Sequence, residues 1–123
     1  MPVQYKIYPE DELIIVSYSG DLKITEILEA RSAIVQDADF NSLFNVLDDI
    51  REVVESSIHF SDLEAIAGKS AVQTGVKRAL VAESDFQFGM ARMYQLLSEA
   101  SGYAFKVFRV YDEALLWINS QPD

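Results

Sequence analysis

The chain has 123 residues, half of them hydrophobic and about a quarter charged, a composition typical of one globular domain with its own core. It contains no cysteine, which excludes disulfides, thiolate nucleophiles and Cys-ligated metal sites. Its formal charge is −10, from 20 acidic and 10 basic residues. A field of that sign repels phosphate backbones, so we expect no nucleic-acid partner.

The first elements form a hairpin. Residues 3–8 alternate apolar and polar side chains, and residues 13–19 (LIIVSYS) are a β-branched run, so both are predicted strands that pair antiparallel across the PEDE turn. The N-terminal stretch has no basic region followed by an apolar run, and no window approaches ~20 apolar residues. We therefore expect neither a signal peptide nor a membrane span, and a cytoplasmic location.

The middle of the chain alternates helix and strand patterns. A first helix, with Thr25 able to cap its start, is predicted by an apolar stripe of helical period: Ile24, Ile27, Leu28, Ile34 and Val35. The short apolar run LFNVLDDI, residues 43–50, predicts a buried strand. Ser61 followed by Glu64 is a capping box that predicts a second helix, ending before Gly75.

The last third repeats the same alternation. VKRALVAE, residues 76–83, predicts a strand, and Ser84 with Gln87 forms a capping box at the start of a helix that ends near Gly102. AFKVFRV, residues 104–110, predicts the last long strand. Asp112 is the expected cap of a short final helix that runs through Trp117.

This order, ββαβαβαβα, predicts one α/β domain over residues 1–123, with a mostly parallel sheet of about five strands and an antiparallel N-terminal strand. Right-handed crossovers between strands in sequential order place the connecting helices on one side of the sheet. Both faces of the predicted strands 76–83 and 104–110 are nevertheless apolar in the middle. We therefore expect that something covers both faces.

Several segments together resemble the SpoIIAA-like family, which is related to STAS domains. They are FNVLDDIREV, RALVAESDFQFGMARMYQLLSEA and FKVFRVYDEALLWI, and the resemblance extends over nearly the whole chain. It implies a sheet with consecutive strands side by side and helices packed on it. Related domains include anti-sigma-factor antagonists, regulatory domains of anion transporters and, more distantly, lipid-transfer proteins with an apolar pocket.

The resemblance also bears on phosphorylation. Antagonist members carry a phosphorylated Ser or Thr in an Asp-Ser turn at a helix start, after the strand that matches residues 43–50. The corresponding stretch here is Glu55-Ser56-Ser57-Ile58-His59, without an Asp-Ser pair and without a following Gly. The phosphosite is therefore not transferred to this chain.

Polar side chains at the predicted carboxyl ends of strands form one candidate site. Asp48 and Asp49 lie at the end of the third predicted strand and Arg109 at the end of the last, where open α/β sheets bind ligands. They could hold a polar ligand or Mg²⁺, although residues at such ends more often cap helices or bond loop amides, which we favour. We predict no bound metal, no cofactor and no catalytic residue. His59 is the single histidine and is expected to be an ordinary loop residue.

The helix predicted after Ser84 is the second candidate, because its apolar side chains cover more than one stripe. Three interpretations remain open: simple burial, a homodimer interface and an apolar ligand pocket. The interface would use Phe88, Arg92 and Leu96. The pocket would be lined by Phe86, Met90, Met93 and Trp117.

Taken together, these patterns favour a non-catalytic regulatory or protein-interaction module that forms a homodimer or binds a protein partner. The alternative is a binder of an apolar small molecule or lipid beside the helix over 85–100. An enzyme that uses Asp48 and Asp49 with a metal ranks last, because no nucleophile–base pair or ligand cluster is recognisable.

Overall fold

The structure of the protein is a computed structural model, which describes residues 2–56, 59, 61–62, 64–65, 76–98 and 104–120. Residues 61–62 and 64–65 are helical, as predicted for the start of the second helix. The rest of that helix, its end before Gly75 and the predicted helix end near Gly102 lie outside the described residues.

One five-stranded sheet organises the described chain, with its strands in the order β1-β2-β3-β4-β5. The strands are β1 Val3–Tyr8, β2 Leu13–Leu22, β3 Asn45–Ser56, β4 Lys77–Val81 and β5 Ala104–Phe108. The helices bounded within the described residues are α1 Ile24–Gln36, α2 Asp85–Ser98 and α3 Tyr111–Asn119. β1 is antiparallel to β2, and the other neighbours are parallel. This confirms the predicted mixed sheet and its antiparallel N-terminal strand.

Helices cover both faces of the sheet. α1 and α2 pack on the face that carries Ile50 and Leu80, and α3 packs on the other face, where Ala114 and Ile118 contact Leu47. Since α3 follows the last strand and is not a crossover, the handedness of βαβ units does not constrain its side. The sequence predicted that something covers both faces of the sheet. On the second face, α3 of the same chain covers β3 and β4.

Strand β3 is longer than the prediction of residues 43–50, and this changes where Asp48 and Asp49 lie. The strand continues to Ser56, so both aspartates are mid-strand residues and not strand ends. Two register shifts between β2 and β3, after Ser17 and after Gly20, interrupt the pairing. The alternation of side chains by twos is lost at such bulges, which explains why the sequence pattern ended the strand early.

Helix starts differ in how well local sequence predicted them. α2 begins with the predicted capping box: the Gln87 N–H donates to Ser84 Oγ at 3.1 Å, and the Ser84 N–H donates to Gln87 Oε1 at 3.1 Å. The other two caps were predicted wrongly. α1 begins at Ile24, one residue before Thr25, and α3 begins at Tyr111, one residue before Asp112.

Gln87 also ties α2 to the extended part of β3. Its side chain is buried, and Nε2 donates to the carbonyl oxygens of Val53 at 2.7 Å and Arg51 at 3.0 Å. The side-chain oxygen of Gln87 therefore accepts a backbone N–H at the helix start, and its side-chain nitrogen donates to two carbonyl groups of β3. Gln87 holds the far end of β3 against the helix.

We predict that Gln87→Ala lowers the free energy of unfolding by ~3 kcal/mol, because it removes a helix cap and leaves buried carbonyl groups without donors. Urea unfolding followed by circular dichroism measures this. Gln95→Ala is the matched control on the same helix, since Gln95 Nε2 donates to the Phe105 carbonyl of β5 at 3.2 Å. This variant should cost about 1 kcal/mol or less. Equal losses in both variants would contradict the role given to Gln87.

Candidate functional site

A buried ion pair lies at the centre of the sheet, on the face covered by α1 and α2. Asp48 of β3 and Arg78 of β4 are only 3% and 7% exposed, and Arg78 Nε donates to Asp48 Oδ2 at 2.7 Å. The Tyr18 hydroxyl of β2 donates to the other oxygen, Asp48 Oδ1, at 2.8 Å. Three adjacent strands thus contribute one side chain each to a single polar network.

The network holds its members in defined protonation states at neutral pH. Loss of hydration, and then the Asp48 carboxylate, raise the pKa of Tyr18 well above its ordinary value. Burial by itself would lower the pKa of Arg78, but Asp48, Tyr94 and Tyr18 together outweigh this effect, so the pKa of Arg78 is raised. Tyr18 therefore remains a neutral donor and Arg78 remains a cation.

Two hollows lie above this network. The first, the α1 hollow, is about 90 Å³ and lies between α1, β2 and the loop around Phe40 and Phe44. The second, the α1–α2 hollow, is about 70 Å³ and extends between the two helices to Leu80 and Met90. Both are lined by the same four residues, which we call the shared wall: Tyr18, Ile27, Arg31 and Arg78.

Arg31 connects the two helices at the shared wall. Its Nη2 donates to the Tyr94 hydroxyl of α2 at 3.0 Å, and the Tyr94 ring lies 5.9 Å from the Arg78 guanidinium carbon. Tyr94 also packs on Phe105 of β5, with ring centroids 5.6 Å apart. The helices therefore meet here through polar groups that face the hollows as well as through apolar contacts.

The residues of the predicted polar site do not lie together. Asp48 and Asp49 are consecutive on a strand and point to opposite faces, and Asp49 forms a bidentate pair with Arg51 at 2.8 and 2.9 Å. Arg109 follows β5, and its Nη1 donates to the Glu83 carbonyl at 2.9 Å. No shared site is formed, because Asp48 pairs with Arg78, Asp49 pairs with Arg51 on the other face, and β5 is two strands away from β3.

The residues of the predicted apolar pocket are also separated. Met90 lines the α1–α2 hollow, whereas Phe86 and Met93 are exposed on the outer side of α2. Trp117 lies on the opposite face of the sheet, with its ring centroid 5.7 Å from that of Phe108. Of the four, only Met90 reaches a hollow.

The residues of the predicted interface are only partly accessible. Arg92 is exposed and Leu96 is 64% exposed. Phe88 is half-buried, packs against the core and is covered by Arg109, whose guanidinium carbon lies 4.3 Å from the ring centroid. Leu96 and Arg92 thus remain available to a partner, and Phe88 less so.

His59 is exposed, and its backbone N–H donates to Asp62 Oδ2 at 3.0 Å. Within the described part of the chain, no group of three or more His, Asp or Glu side chains could hold a metal ion. In the same residues, no helix is long and apolar enough to cross a membrane.

The shared wall and the Asp48–Arg78 ion pair beside it were not predicted. A signal was present, because Arg78 alternates with Leu80 on one side of an apolar strand and Asp48 interrupts another apolar strand. Charged residues at such positions are rarely buried unless they are paired. The pairing of these particular strands, however, is known only from the fold.

No family model matches the chain, and no curated protein matches it significantly. Among solved structures, it is similar to the crystal structure of an uncharacterized protein of the DUF3478 family, from Shewanella loihica PV-4, with a SpoIIAA-like fold. The TM-score is 0.63 at 16% identity, and the match covers 94% of this chain and 91% of that chain. At this identity the likeness establishes the architecture, and the chain has a SpoIIAA-like fold.

We predict that Tyr18 makes the protein sensitive to alkali. The unfolded chain loses the tyrosine proton near pH ~10 while the folded chain keeps it. The stabilisation is therefore complete below that pH and decreases as pH rises above it, by up to ~1.4 kcal/mol per pH unit. Urea unfolding between pH 9 and 11 should show a shallower decrease for Tyr18→Phe than for the wild type. Tyr8→Phe is the control, and an unchanged slope in Tyr18→Phe would refute the assignment.

Proposed function

We propose that the protein is a non-catalytic binding module that takes up a small, mostly apolar molecule in the two hollows beneath α1 and α2. The observation that carries this proposal is the shared wall. Because both hollows are lined by it, they are adjacent to each other and to the same polar network. Apolar side chains form most of the remaining lining, and a few fixed polar groups converge on it. That combination is typical of small-molecule sites.

The size of the hollows limits the ligand. Their volumes of about 90 and 70 Å³ are together comparable to the ~150 Å³ of an apolar cavity known to bind benzene. They are well below the ~300–1,000 Å³ of pockets for drug-sized molecules. We therefore favour a single aromatic ring or a short aliphatic chain over the long acyl chain of a lipid.

The polar groups of the site favour binding without chemistry. Tyr18 stays protonated, and Asp48 accepts one hydrogen bond on each of its oxygens, from Tyr18 and Arg78. A general base needs an oxygen within reach of the proton it removes, and both carboxylate oxygens are already engaged. This supports a role in which these groups orient a bound molecule without reacting with it.

We expect the wild type to bind toluene, which should shift the methyl NMR signals of Ile27 and Ile34 at the α1 hollow. Ala30→Leu places a larger side chain in that hollow and should weaken binding by about tenfold or more, since filling a site of this size displaces the ligand. Ala33→Leu is the matched control, because Ala33 is exposed on the same helix. An unresponsive wild type, or equal binding by the two variants, would refute the proposal.

A second candidate function, self-association, is favoured by the outer face of α2. We call it the α2 outer face, and it consists of six residues: Asp85, Phe86, Gly89, Arg92, Met93 and Leu96. All six are exposed, and Phe86 and Leu96 are 52% and 64% exposed. Large apolar side chains concentrated on one exposed stripe are typical of an interaction surface.

The most suitable partner for this face is a second copy of the chain. Gly89 lies at the middle of the stripe, with no atom within 4 Å of the position that a Cβ would occupy, so a second helix can approach closely there. Asp85 and Arg92 lie on either side of it in sequence. In an antiparallel pair of α2 helices, Asp85 of each copy lies near Arg92 of the other, which makes the face complementary to itself.

We predict concentration-dependent dimerisation of the wild type in sedimentation velocity, and its loss in Leu96→Glu. Leu96 is a better probe than the half-buried Phe88, because its substitution leaves the core intact. Leu116→Glu is the control, since Leu116 is 75% exposed on α3, and this variant should dimerise like the wild type. A wild type that is monomeric at all concentrations would refute self-association and leave the binding proposal unaffected.

A further inference from the structure

We infer that the molecule bound in the hollows carries an uncharged hydrogen-bond acceptor, a ketone-like oxygen on an apolar body, and that Tyr94 donates to this oxygen. This inference rests on the proposed function and specifies its ligand class. It comes from the hydroxyl group of Tyr94. The side chain of this residue is buried, but its hydroxyl uses only part of its hydrogen-bonding capacity.

The Tyr94 hydroxyl is the acceptor in its bond to Arg31. Arg31 Nη2 lies 3.0 Å from the hydroxyl oxygen, and a guanidinium group can only donate. The hydroxyl hydrogen of Tyr94 is therefore not used in this bond. Among the residues that the structure describes, Tyr94 has no acceptor for this hydrogen.

The position of the Tyr94 hydroxyl connects its unused hydrogen to the proposed ligand site. Tyr94 is only 8% exposed, and a buried tyrosine hydroxyl usually finds a hydrogen-bond partner, because an unpaired buried donor is costly. Tyr94 lines the α1–α2 hollow, and so does Arg31, which its hydroxyl contacts. A molecule bound in this hollow supplies the acceptor that the described residues do not.

The other groups of the site indicate what kind of acceptor fits. Asp48 already accepts one bond on each carboxylate oxygen, from Tyr18 and Arg78, so a ligand that also donates would compete for engaged oxygens. A carbonyl oxygen accepts without donating. An uncharged oxygen also avoids the long-range repulsion that a chain of charge −10 exerts on an anion. These conditions favour a ketone over an alcohol or a carboxylate.

The two hollows also give the ligand a direction. Tyr94 lines the α1–α2 hollow and is not among the residues around the α1 hollow. The walls of the α1 hollow include Val16, Ile34 and Phe40, which suit a ring or a branched alkyl group. We therefore expect the carbonyl oxygen to lie beside Tyr94 and the apolar body to extend towards the α1 hollow.

Acetophenone and α-methylstyrene test the inference, because they have nearly the same shape and differ in one group. Acetophenone has a carbonyl oxygen where α-methylstyrene has a methylene group, which cannot accept a hydrogen bond. Methyl NMR titrations of the wild type and Tyr94→Phe give the ratio of the two affinities in each protein. The two compounds are hydrated differently in water, but this difference is the same for both proteins and cancels when the ratios are compared.

Tyr94→Phe keeps the ring that packs on Phe105 and removes only the hydroxyl. It should weaken acetophenone relative to α-methylstyrene by about fivefold, as expected for one hydrogen bond between uncharged groups. Tyr111→Phe is the matched control, because it removes a tyrosine hydroxyl from α3, on the other face of the sheet. This variant should leave the ratio of affinities as it is in the wild type.

The outcomes separate the two proposals. If the ratio is the same in the wild type and in a folded Tyr94→Phe, Tyr94 does not donate to the ligand, and the inference is wrong while the proposed function stands. An equal change in Tyr94→Phe and Tyr111→Phe would likewise overturn the inference. If neither compound binds the wild type, both proposals fail.

A second measurement decides the inference even where Tyr94→Phe does not fold. In the wild type saturated with acetophenone, nuclear Overhauser effects should connect the acetyl methyl group to the Met90 methyl group in the α1–α2 hollow. They should also connect the ring protons to Ile34 in the α1 hollow. The reverse pattern, with the acetyl group beside Ile34, would show that the carbonyl oxygen does not lie at Tyr94 and would overturn the inference.

Discussion

The buried Asp48–Arg78 ion pair is the polar constraint on which the packing of the central strands depends. Removing two charges from water costs several kcal/mol per ion, which is offset only when the geometry and the hydrogen bonds are good. The 2.7 Å contact and the Tyr18 bond meet this condition. A shift of β3 by one residue would move Asp48 to the opposite face and bring Leu47 or Asp49 to its position, which breaks the observed contacts, so the network favours the observed register of β2, β3 and β4.

The same pair explains why hollows exist at this position. A helix that packed directly on the ion pair would have to cover charged groups with apolar side chains, which is unfavourable. Instead, α1 and α2 contact each other through Arg31 and Tyr94 at 3.0 Å, and space remains beside them. The polar network and the neighbouring space therefore have the same cause, which is the cost of burying two charged groups. The proposed ligand site consists of both.

Local patterns predicted most of the architecture. The hairpin, the alternation of strands and helices, and the Ser84–Gln87 capping box depend on residues close together in the chain, and the structure contains them. The predictions failed where geometry departs from simple periodicity. The bulges in β3 interrupt the alternation by twos. The one-residue errors at Thr25 and Asp112 arose because a residue whose side chain can cap a helix does not always stand where the helix begins.

The sequence by itself determined the kind of fold, because periodicity, turns and caps act over a few residues. The tertiary structure alone decided which side chains meet. Asp48 contacts Arg78 across 30 residues, and Arg31 contacts Tyr94 across 63, distances over which no local pattern carries information. Such contacts are set by strand register and by the face to which each helix is assigned. For this reason the candidate site appeared only once the sheet was assembled.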